Sequence, residues 1–443
     1  MNNFWSYKNV TQIHVELTNA CNAGCPMCVR FYQSSPLTRP DIKIGQITLE
    51  DFKKFFPPEF ISQLITILFC GVSGDAGTAR DTLEICEYIA SCPGKVTVRM
   101  NTNGGMRRAE WWTKLGKVFE SKKKQNWGVT FSIDGLEDTN HLYRRNVVWK
   151  PLMSNIKAFS DTGAITIWDY LIFEHNEHQI KEAKVIADSM NIQFRPKRAL
   201  GVDDGTHLKP MAARNKEGEI AYFIRAPKDP ENRNLKNPVG TRDDGYNVSP
   251  KFDPKEYWKV RNGEIPLLGN NGLTWESGFD HNQITFPQAV DDTYKSIELM
   301  DTGVYDKTEI ECKSNMEFGG TEIFVDQAGI VHPCCYIGTH MNSEFFAPET
   351  TQLHHTMKKH QGWVKNSLYN YSLKDIMGVG QLNTMWADAW NKPTARDGKT
   401  IFCAKTCPKN QLSAVDNIFR HKDAPSEAKS TWKKNPKNQT GKG

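Results

Sequence analysis

A partial (β/α)6 barrel of the α/β class, followed by a small α+β domain, is the fold this sequence predicts, on three observations. Six short apolar runs alternate with five amphipathic ones between residues 13 and 198. Cys21, Cys25 and Cys28 follow the first of those runs directly. Five more cysteines, Cys312, Cys334, Cys335, Cys403 and Cys407, collect in the last third of the chain.

The apolar runs are IHVEL (13–17), ITILFC (65–70), VTVRMN (96–101), GVTFSID (128–134), ITIWDYLIF (165–173) and IQFRP (192–196). Each is short and rich in β-branched or aromatic residues, which marks strands. The stretches between them, near 49–64, 78–91, 107–121, 149–162 and 177–190, carry helical periodicity. Strands alternating with helices imply βαβ units and a parallel sheet. In such folds chemistry gathers where the strands end. The cysteine loop after the first run is therefore expected on the functional face.

Residues 1–198 form the expected core. From 199 to 310 the pattern dissolves into Pro, Gly, Asn and Asp, as in APKDPENRNLKNPVGTRDDGYNVSPKFDPKEYW, and reads as a linker and substrate-covering insertion. Residues 311–410 form the expected second domain. It opens with a hairpin, EIFV and IVHP around DQAG. Residues 411–443 read as a disordered tail, in which His421–Gly443 sets Lys422, Lys429, Lys433, Lys434, Lys437 and Lys442 against only Asp423 and Glu427. That tail supplies 4 of the chain's 5 net positive charges, so the remainder carries only +1. No apolar run reaches the ~18 residues a membrane helix needs. The opening MNNFWSYKNV has neither a basic start nor an apolar core, so a cytoplasmic address is expected.

A reducing address argues against disulfides among the 11 cysteines. Their clustering near opposite ends suggests two metal sites instead. Cys21, Cys25 and Cys28 supply three thiolates where a four-iron cluster takes four ligands, which leaves one iron open to a small molecule. Gly24 and Pro26 suit a tight wrap between them. Zinc would need a fourth ligand, and the nearest histidine, His14, lies inside the first strand. A redox pair of Cys25 and Cys28 would leave Cys21 unexplained.

Cys21-x3-Cys25-x2-Cys28 after a first barrel strand resembles the signature of radical S-adenosylmethionine (radical SAM) enzymes. The resemblance implies a [4Fe-4S] cluster whose open iron binds SAM, reductive cleavage, and a 5′-deoxyadenosyl radical that abstracts hydrogen from a substrate. It puts Met27 beside the adenine. CGVSGDAG (70–77) stands where the family has Gly-Gly-Glu-Pro, so Gly74 would let carbonyls approach the SAM ammonium and Asp75 would replace the glutamate. Ser73 and Ala76 depart from that pattern. NTNGG (101–105) resembles the family's third strand end, and SIDG (132–135) its fourth. Ser132 and Arg144 match a pair that grips the SAM carboxylate in peptide-modifying relatives, a task a guanidinium fork suits. Asn176, in FEHNEHQ, would face the nucleoside or cap the next helix.

DQAGIVHPCC and Cys403-x3-Cys407 resemble the SPASM/twitch extension of those enzymes, which carries auxiliary clusters. Five cysteines suit one auxiliary [4Fe-4S] cluster, held by Cys312, Cys334, Cys403 and Cys407, with Cys335 able to replace Cys334 and a zinc knuckle as the competing occupant. Cys86 and Cys92 read as buried packing residues and Cys70 as a neighbour of the SAM site. The implied substrate is a peptide or protein side chain. A carbohydrate or cyclitol, with Arg195 lining its pocket, is the alternative. A non-catalytic iron–sulfur electron carrier is the reading from another class. Flavodoxin or ferredoxin is the expected reductant, and neither a membrane nor nucleic acid is an expected partner. No acid or base residue stands out.

Overall fold

The computed structural model describes residues 4–31, 34–39, 42, 44–199, 202, 210–233, 235, 308–312, 314, 321–341, 348–378, 382–394 and 397–409. Most of the expected insertion at 199–310 and all of the tail expected at 411–443 lie outside these residues. The six expected strands form as β1 (Val10–Val15), β2 (Thr66–Phe69), β3 (Thr97–Thr102), β4 (Gly128–Ser132), β5 (Ile165–Ile172) and β6 (Gln193–Arg198). They pair in sequence order, every neighbour parallel.

The helices between them are α1 (Leu49–Phe55), α2 (Pro58–Gln63), α3 (Thr82–Ser91), α4 (Ala109–Ser121), α5 (Asn140–Tyr143), α6 (Trp149–Ser160) and α7 (Ile180–Ser189). The single helix expected near 49–64 is two. Pro57 and Pro58 cannot continue α1, and Pro58 instead starts α2 at the one helical position that tolerates it. Thr48 and Asp51 form a capping box at the start of α1. The helices cover one face of the sheet, where Phe131 of β4 meets Trp112 of α4 at 5.0 Å and Phe159 of α6 at 5.8 Å between ring centroids. Burying each such ring stabilises the fold by about 1.5–3 kcal/mol.

Two short strands inside the expected insertion, β7 (Met211–Arg214) and β8 (Ile220–Ile224), form an antiparallel hairpin with Gly218 at φ 84° in its turn. The four-residue helix α8 (Pro230–Arg233) follows. The expected second hairpin forms as β9 (Thr321–Val325) and β10 (Val331–His332). It does not stand apart from the barrel strands. β9 lies parallel to β1, Ile13 opposite Ile323 and Val15 opposite Val325, so the sheet has eight strands in the order β10-β9-β1-β2-β3-β4-β5-β6. The helix α9 (Cys335–Met341) follows β10. At the other end of the chain, the Trp5 N–H donates to Asn383 Oδ1 at 2.9 Å and Asn383 Nδ2 donates to the Trp5 carbonyl at 2.7 Å. One hydrophobic core runs through both ends.

The strand register sorts the face of the sheet that the helices leave. His14 lies opposite Leu68, and Leu68 opposite Arg99. Ser132 lies opposite Asp169, and Asp169 opposite Arg195. This face is polar, and its carboxyl-terminal edge leads into the cysteine loop.

Candidate functional site

The loop after β1 is pinned on three sides. The Thr18 hydroxyl donates to the Gly45 carbonyl at 2.5 Å, and the Asp75 N–H donates to the Ala20 carbonyl at 2.8 Å. Arg30 donates to the Asn19 carbonyl. Arg145 reaches the Gly24 carbonyl through Nε at 2.5 Å while the Gly24 N–H donates to the Arg145 carbonyl at 2.8 Å. Arg145 Nη1 also donates to the Arg214 carbonyl of β7 at 2.9 Å, and the Tyr222 hydroxyl of β8 to the Leu142 carbonyl at 2.8 Å. The hairpin β7–β8 thus leans on the backbone that holds the cysteine loop.

Within the loop the Cys28 N–H donates to the Cys25 carbonyl at 3.0 Å, turning the third thiol back towards the second. Burial raises all three thiols above their ordinary range, Cys28 to about 11, and Cys25 adds to the rise at both Cys21 and Cys28. At Cys25 the Arg144 guanidinium opposes the rise. They are neutral thiols until a cation arrives, and metal binding here releases protons.

Two residues from other loops converge on the thiols. Asn103, after β3, aims its Nδ2 at Cys21 Sγ (3.5 Å), Asn22 Oδ1 (2.9 Å) and Asp75 Oδ2 (2.7 Å). Arg144, after α5, donates from Nε to Asp134 Oδ2 at 2.6 Å and from Nη1 to Cys25 Sγ at 3.5 Å. Burial works against the Arg144 charge, yet Asp134 and Cys25 outweigh it and hold its pKa well above the usual guanidinium range. It is a fixed cation beside the cysteine loop.

The loop after β2 closes over the same region because two glycines let it. A Cβ on Gly74 would sit 1.8 Å from the Thr18 carbonyl oxygen, and one on Gly71 2.1 Å from the Gly74 carbonyl oxygen. Glu16 reaches up from the end of β1, its Oε1 accepting the Ser73 N–H at 2.7 Å and the Gly74 N–H at 2.9 Å. Burial lifts Glu16 to a pKa of about 7, against the pull of those N–H groups.

Asp75 and Asn176, read from the sequence as cofactor contacts, are committed elsewhere. Asp75 Oδ1 accepts from Gly77 N–H and the Thr102 hydroxyl, both at 2.8 Å. Its Oδ2 accepts from the Asn103 N–H at 2.6 Å and Asn103 Nδ2 at 2.7 Å. Four donors fill the roughly four acceptor sites of a carboxylate, and through them Asp75 locks β2's loop to β3. Asn176 Oδ1 accepts the Phe173 N–H at 2.7 Å, and its Nδ2 donates to the Asp134 and Leu171 carbonyls at 2.9 Å each. It makes no capping bond to the next helix with its side chain. Its amide clamps the end of β5 to the end of β4.

Ser132, at the end of β4, is half-buried, and its hydroxyl has no partner among the described residues. Met27 is half-buried and packs on the core. Asn103 and Glu16 were not singled out by sequence reasoning. NTNGG and IHVEL marked their positions but not the contacts that give them a role.

Cys312, Cys334, Cys403 and Cys407 line one cavity. Its other walls are mostly apolar, among them Ile310, Ile337, Trp390 and Phe402. Cys335 lies elsewhere. Its Sγ, a ring nitrogen of His14 and a carboxylate oxygen of Glu322 fall within 4.8 Å of one another, and among the described residues no other such group of three does. A single tetrahedral zinc with thiolates at about 2.3 Å would hold its sulfurs ~3.8 Å apart. Among the described residues neither cysteine set brings three sulfurs within 4.8 Å of one another.

No family model and no curated protein matches the chain. Among solved structures it is similar to Streptococcus suis SuiB bound to S-adenosylmethionine, at 12% identity and TM-score 0.40 over 74% of this chain and 60% of SuiB. SuiB bound to its precursor peptide SuiA aligns equally, at 12% and 0.40. It is also similar to native anSMEcpe with bound AdoMet (12%, TM-score 0.41, 84% of this chain and 82% of that one) and to methylornithine synthase PylB (10%, 0.30, 43% and 54%). The chain thus spans about 60% of the length of SuiB. At such identities a shared outline carries no residue roles. Among the described residues no helix is long and apolar enough to cross a membrane.

Proposed function

We propose that the chain is a radical SAM enzyme, with Cys21, Cys25 and Cys28 holding a [4Fe-4S] cluster and the chain's own residues holding SAM beside it. The observation that carries this is the three-thiol loop at the carboxyl end of β1, met by the Asn103 amide at Cys21 and by the fixed Arg144 cation at Cys25. When bound, the cluster and SAM supply reductive sulfonium cleavage and a 5′-deoxyadenosyl radical that takes hydrogen from the substrate. The protein's part is positioning. Asn103 donates towards Cys21, which lowers the charge density on that sulfur. Arg144 does the same at Cys25, and its remaining N–H groups suit a carboxylate. Ser132 offers a hydroxyl not spent on the fold. The glycine loop at 71–74, held by Glu16, brings backbone close to the site without side chains in the way. Asp75 and Asn176 act only by holding these loops.

The cavity of Cys312, Cys334, Cys403 and Cys407 is assigned to one auxiliary [4Fe-4S] cluster in a twitch-like extension, with Cys334 as the ligand and not Cys335. Its apolar walls suit electron transfer to or from a group that exchanges no ligand. A peptide or protein side chain is the proposed substrate, and the enzyme works in the cytoplasm with flavodoxin or ferredoxin as reductant. The second reading, oxidation or epimerisation of a carbohydrate or cyclitol, is favoured by the charged group on the inner face, where Asp169 pairs with Arg195 at 2.6 Å and Lys197 at 3.3 Å.

The test is anaerobic reconstitution followed by dithionite and SAM. The expected result is about eight irons per chain, four for each cluster, with release of 5′-deoxyadenosine. A protein that fills with iron and never cleaves SAM, alone or with candidate peptides and sugars, would be an electron carrier instead.

A further inference from the structure

The inner face of the sheet carries a second kind of metal-ligand set, apart from both cysteine clusters. It is built from three elements. His14 comes from β1, Glu322 from β9 and Cys335 from the start of α9. Their ligating atoms fall within 4.8 Å of one another. His14 and Cys335 are buried and Glu322 is half-buried. We propose that His14, Glu322 and Cys335 bind one zinc ion.

Four features support the site. The donor set is chemically right, since zinc takes imidazole nitrogen, thiolate and carboxylate oxygen together and often keeps a fourth position for water. The imidazole is oriented for ligation: its Nε2 faces the Cys70 carbonyl, which only accepts, so Nε2 carries the proton and Nδ1 would be the ligating nitrogen. The Phe324 ring stands edge-on to His14 at 4.8 Å and fixes its plane. Finally, α9 approaches β9 closely enough to deliver Cys335 only because residue 338 is glycine. A Cβ there would lie 2.3 Å from the Phe324 ring.

The geometry also divides the adjacent cysteines. Cys334 turns to the four-cysteine cavity and Cys335 to His14 and Glu322. Two neighbouring residues thus serve different centres, and the ion would tie β9 and α9 to the strand that leads into the first cysteine loop. This site stands whether or not the chain proves to be a radical SAM enzyme, because it uses none of the seven cysteines assigned to clusters.

The experiment uses full-length protein, reconstituted anaerobically with iron and sulfide, given one equivalent of zinc sulfate and desalted. Metals are counted by mass spectrometry, the zinc shell is read by X-ray absorption, and thermal unfolding is followed with and without zinc. The expected result is one zinc per chain in a shell of one sulfur with nitrogen and oxygen, and a zinc-dependent rise in unfolding temperature. Glu322→Gln and Cys335→Ser should each weaken zinc binding by about 100-fold or more with iron unchanged, because a lost ligand costs more than the roughly 10–100-fold of a lost supporting group. Three results would overturn the proposal: wild-type protein that retains only trace zinc, zinc that persists in both variants or shows an all-sulfur shell, and loss of iron in Cys335→Ser. The first removes the site, the second moves the zinc to the four-cysteine cavity, and the third makes Cys335 a cluster ligand. Both variants are near-isosteric. If either fails to fold, the zinc count, shell and thermal shift of wild type decide alone.

Discussion

The two cysteine centres are built on opposite principles. The first has three thiols in a loop crowded with polar partners: the Asn103 amide at Cys21, the Arg144 guanidinium at Cys25, and the Glu16 carboxylate under the adjoining loop. The second has four thiols in a cavity walled largely by Ile310, Ile337, Trp390 and Phe402. A centre that must take and release a charged ligand needs donors and a fixed cation. One that only holds an electron needs thiolates and dry walls. The incomplete thiol set and the polar surroundings go together, and so do the complete set and the apolar ones.

The largest effect expected from this contrast is a pair of exclusive losses. Cys25→Ala should remove about four irons and all 5′-deoxyadenosine formation while the second cluster persists. Cys403→Ala should remove about four irons from the other centre, leave SAM cleavage measurable and stop turnover of substrate. Iron and sulfide assays alongside chromatography of deoxyadenosine separate the two. If either variant lost both clusters, the centres would be one folding unit and the contrast would fail.

Next in size is Arg144→Ala. It leaves the Asp134 carboxylate, 0% exposed, without its ion partner. Removing one member of a buried pair costs about 3–5 kcal/mol. Denaturant unfolding measures that cost, and a loss under about 1 kcal/mol would mean that water already reaches the pair. Among the described residues no lining residue of the second cavity is a cation, so none of them should show a comparable charge effect.

Glu16 gives a pH signature that the second centre lacks. Its folded pKa of about 7 lies above the ordinary 4.5, so the folded chain holds this proton more tightly than the unfolded one. Its contribution is then greatest below pH 4.5 and is lost as pH rises to 7, a fall of about 3 kcal/mol over that window. Glu16→Gln keeps an acceptor for Ser73 and Gly74 and removes the titration, so its stability should fall less across the same range. Parallel pH curves for the two proteins would sink the assignment.

How much of this was legible in the sequence depends on the distance over which each feature is encoded. The six barrel strands are local patterns and appear within a few residues of where the runs lie. The β9–β10 hairpin is local too, through its DQAG turn, but its place beside β1 joins residues about 310 apart, and no short pattern encodes that pairing. The hairpin β7–β8 escaped because Pro- and Asn-rich neighbours masked two short, half-exposed strands. At the site, cysteine spacing names its chemistry directly. The surroundings of Asp75 and Asn176 are not legible in this way: residue type shows what a side chain can accept or donate, and only the fold shows that Asn103, Thr102, Gly77 and three strand-end backbone groups are its partners here. The choice between Cys334 and Cys335 turned on which way two adjacent side chains point, which alternation along an extended chain leaves symmetric.

The smallest predicted effect sharpens the contrast most, because it separates a residue held for the fold from one held for the ligand. Asn176 is 0% exposed and spends its amide on three backbone groups, so Asn176→Ala should lower stability by about 1–3 kcal/mol for the groups it leaves unpaired. Ser132, at the end of the neighbouring strand, is half-buried and gives its hydroxyl to nothing among the described residues. Ser132→Ala should therefore change stability by less than about 0.5 kcal/mol. If the hydroxyl serves SAM, the same variant should weaken SAM binding about tenfold, which is the ~1.4 kcal/mol expected of a hydrogen bond to a charged group. Calorimetric titration of SAM into cluster-loaded protein measures this, with chemical unfolding run beside it. Unchanged SAM affinity in Ser132→Ala would return Ser132 to the sheet, and the ligand's carboxylate would then fall to Arg144 alone.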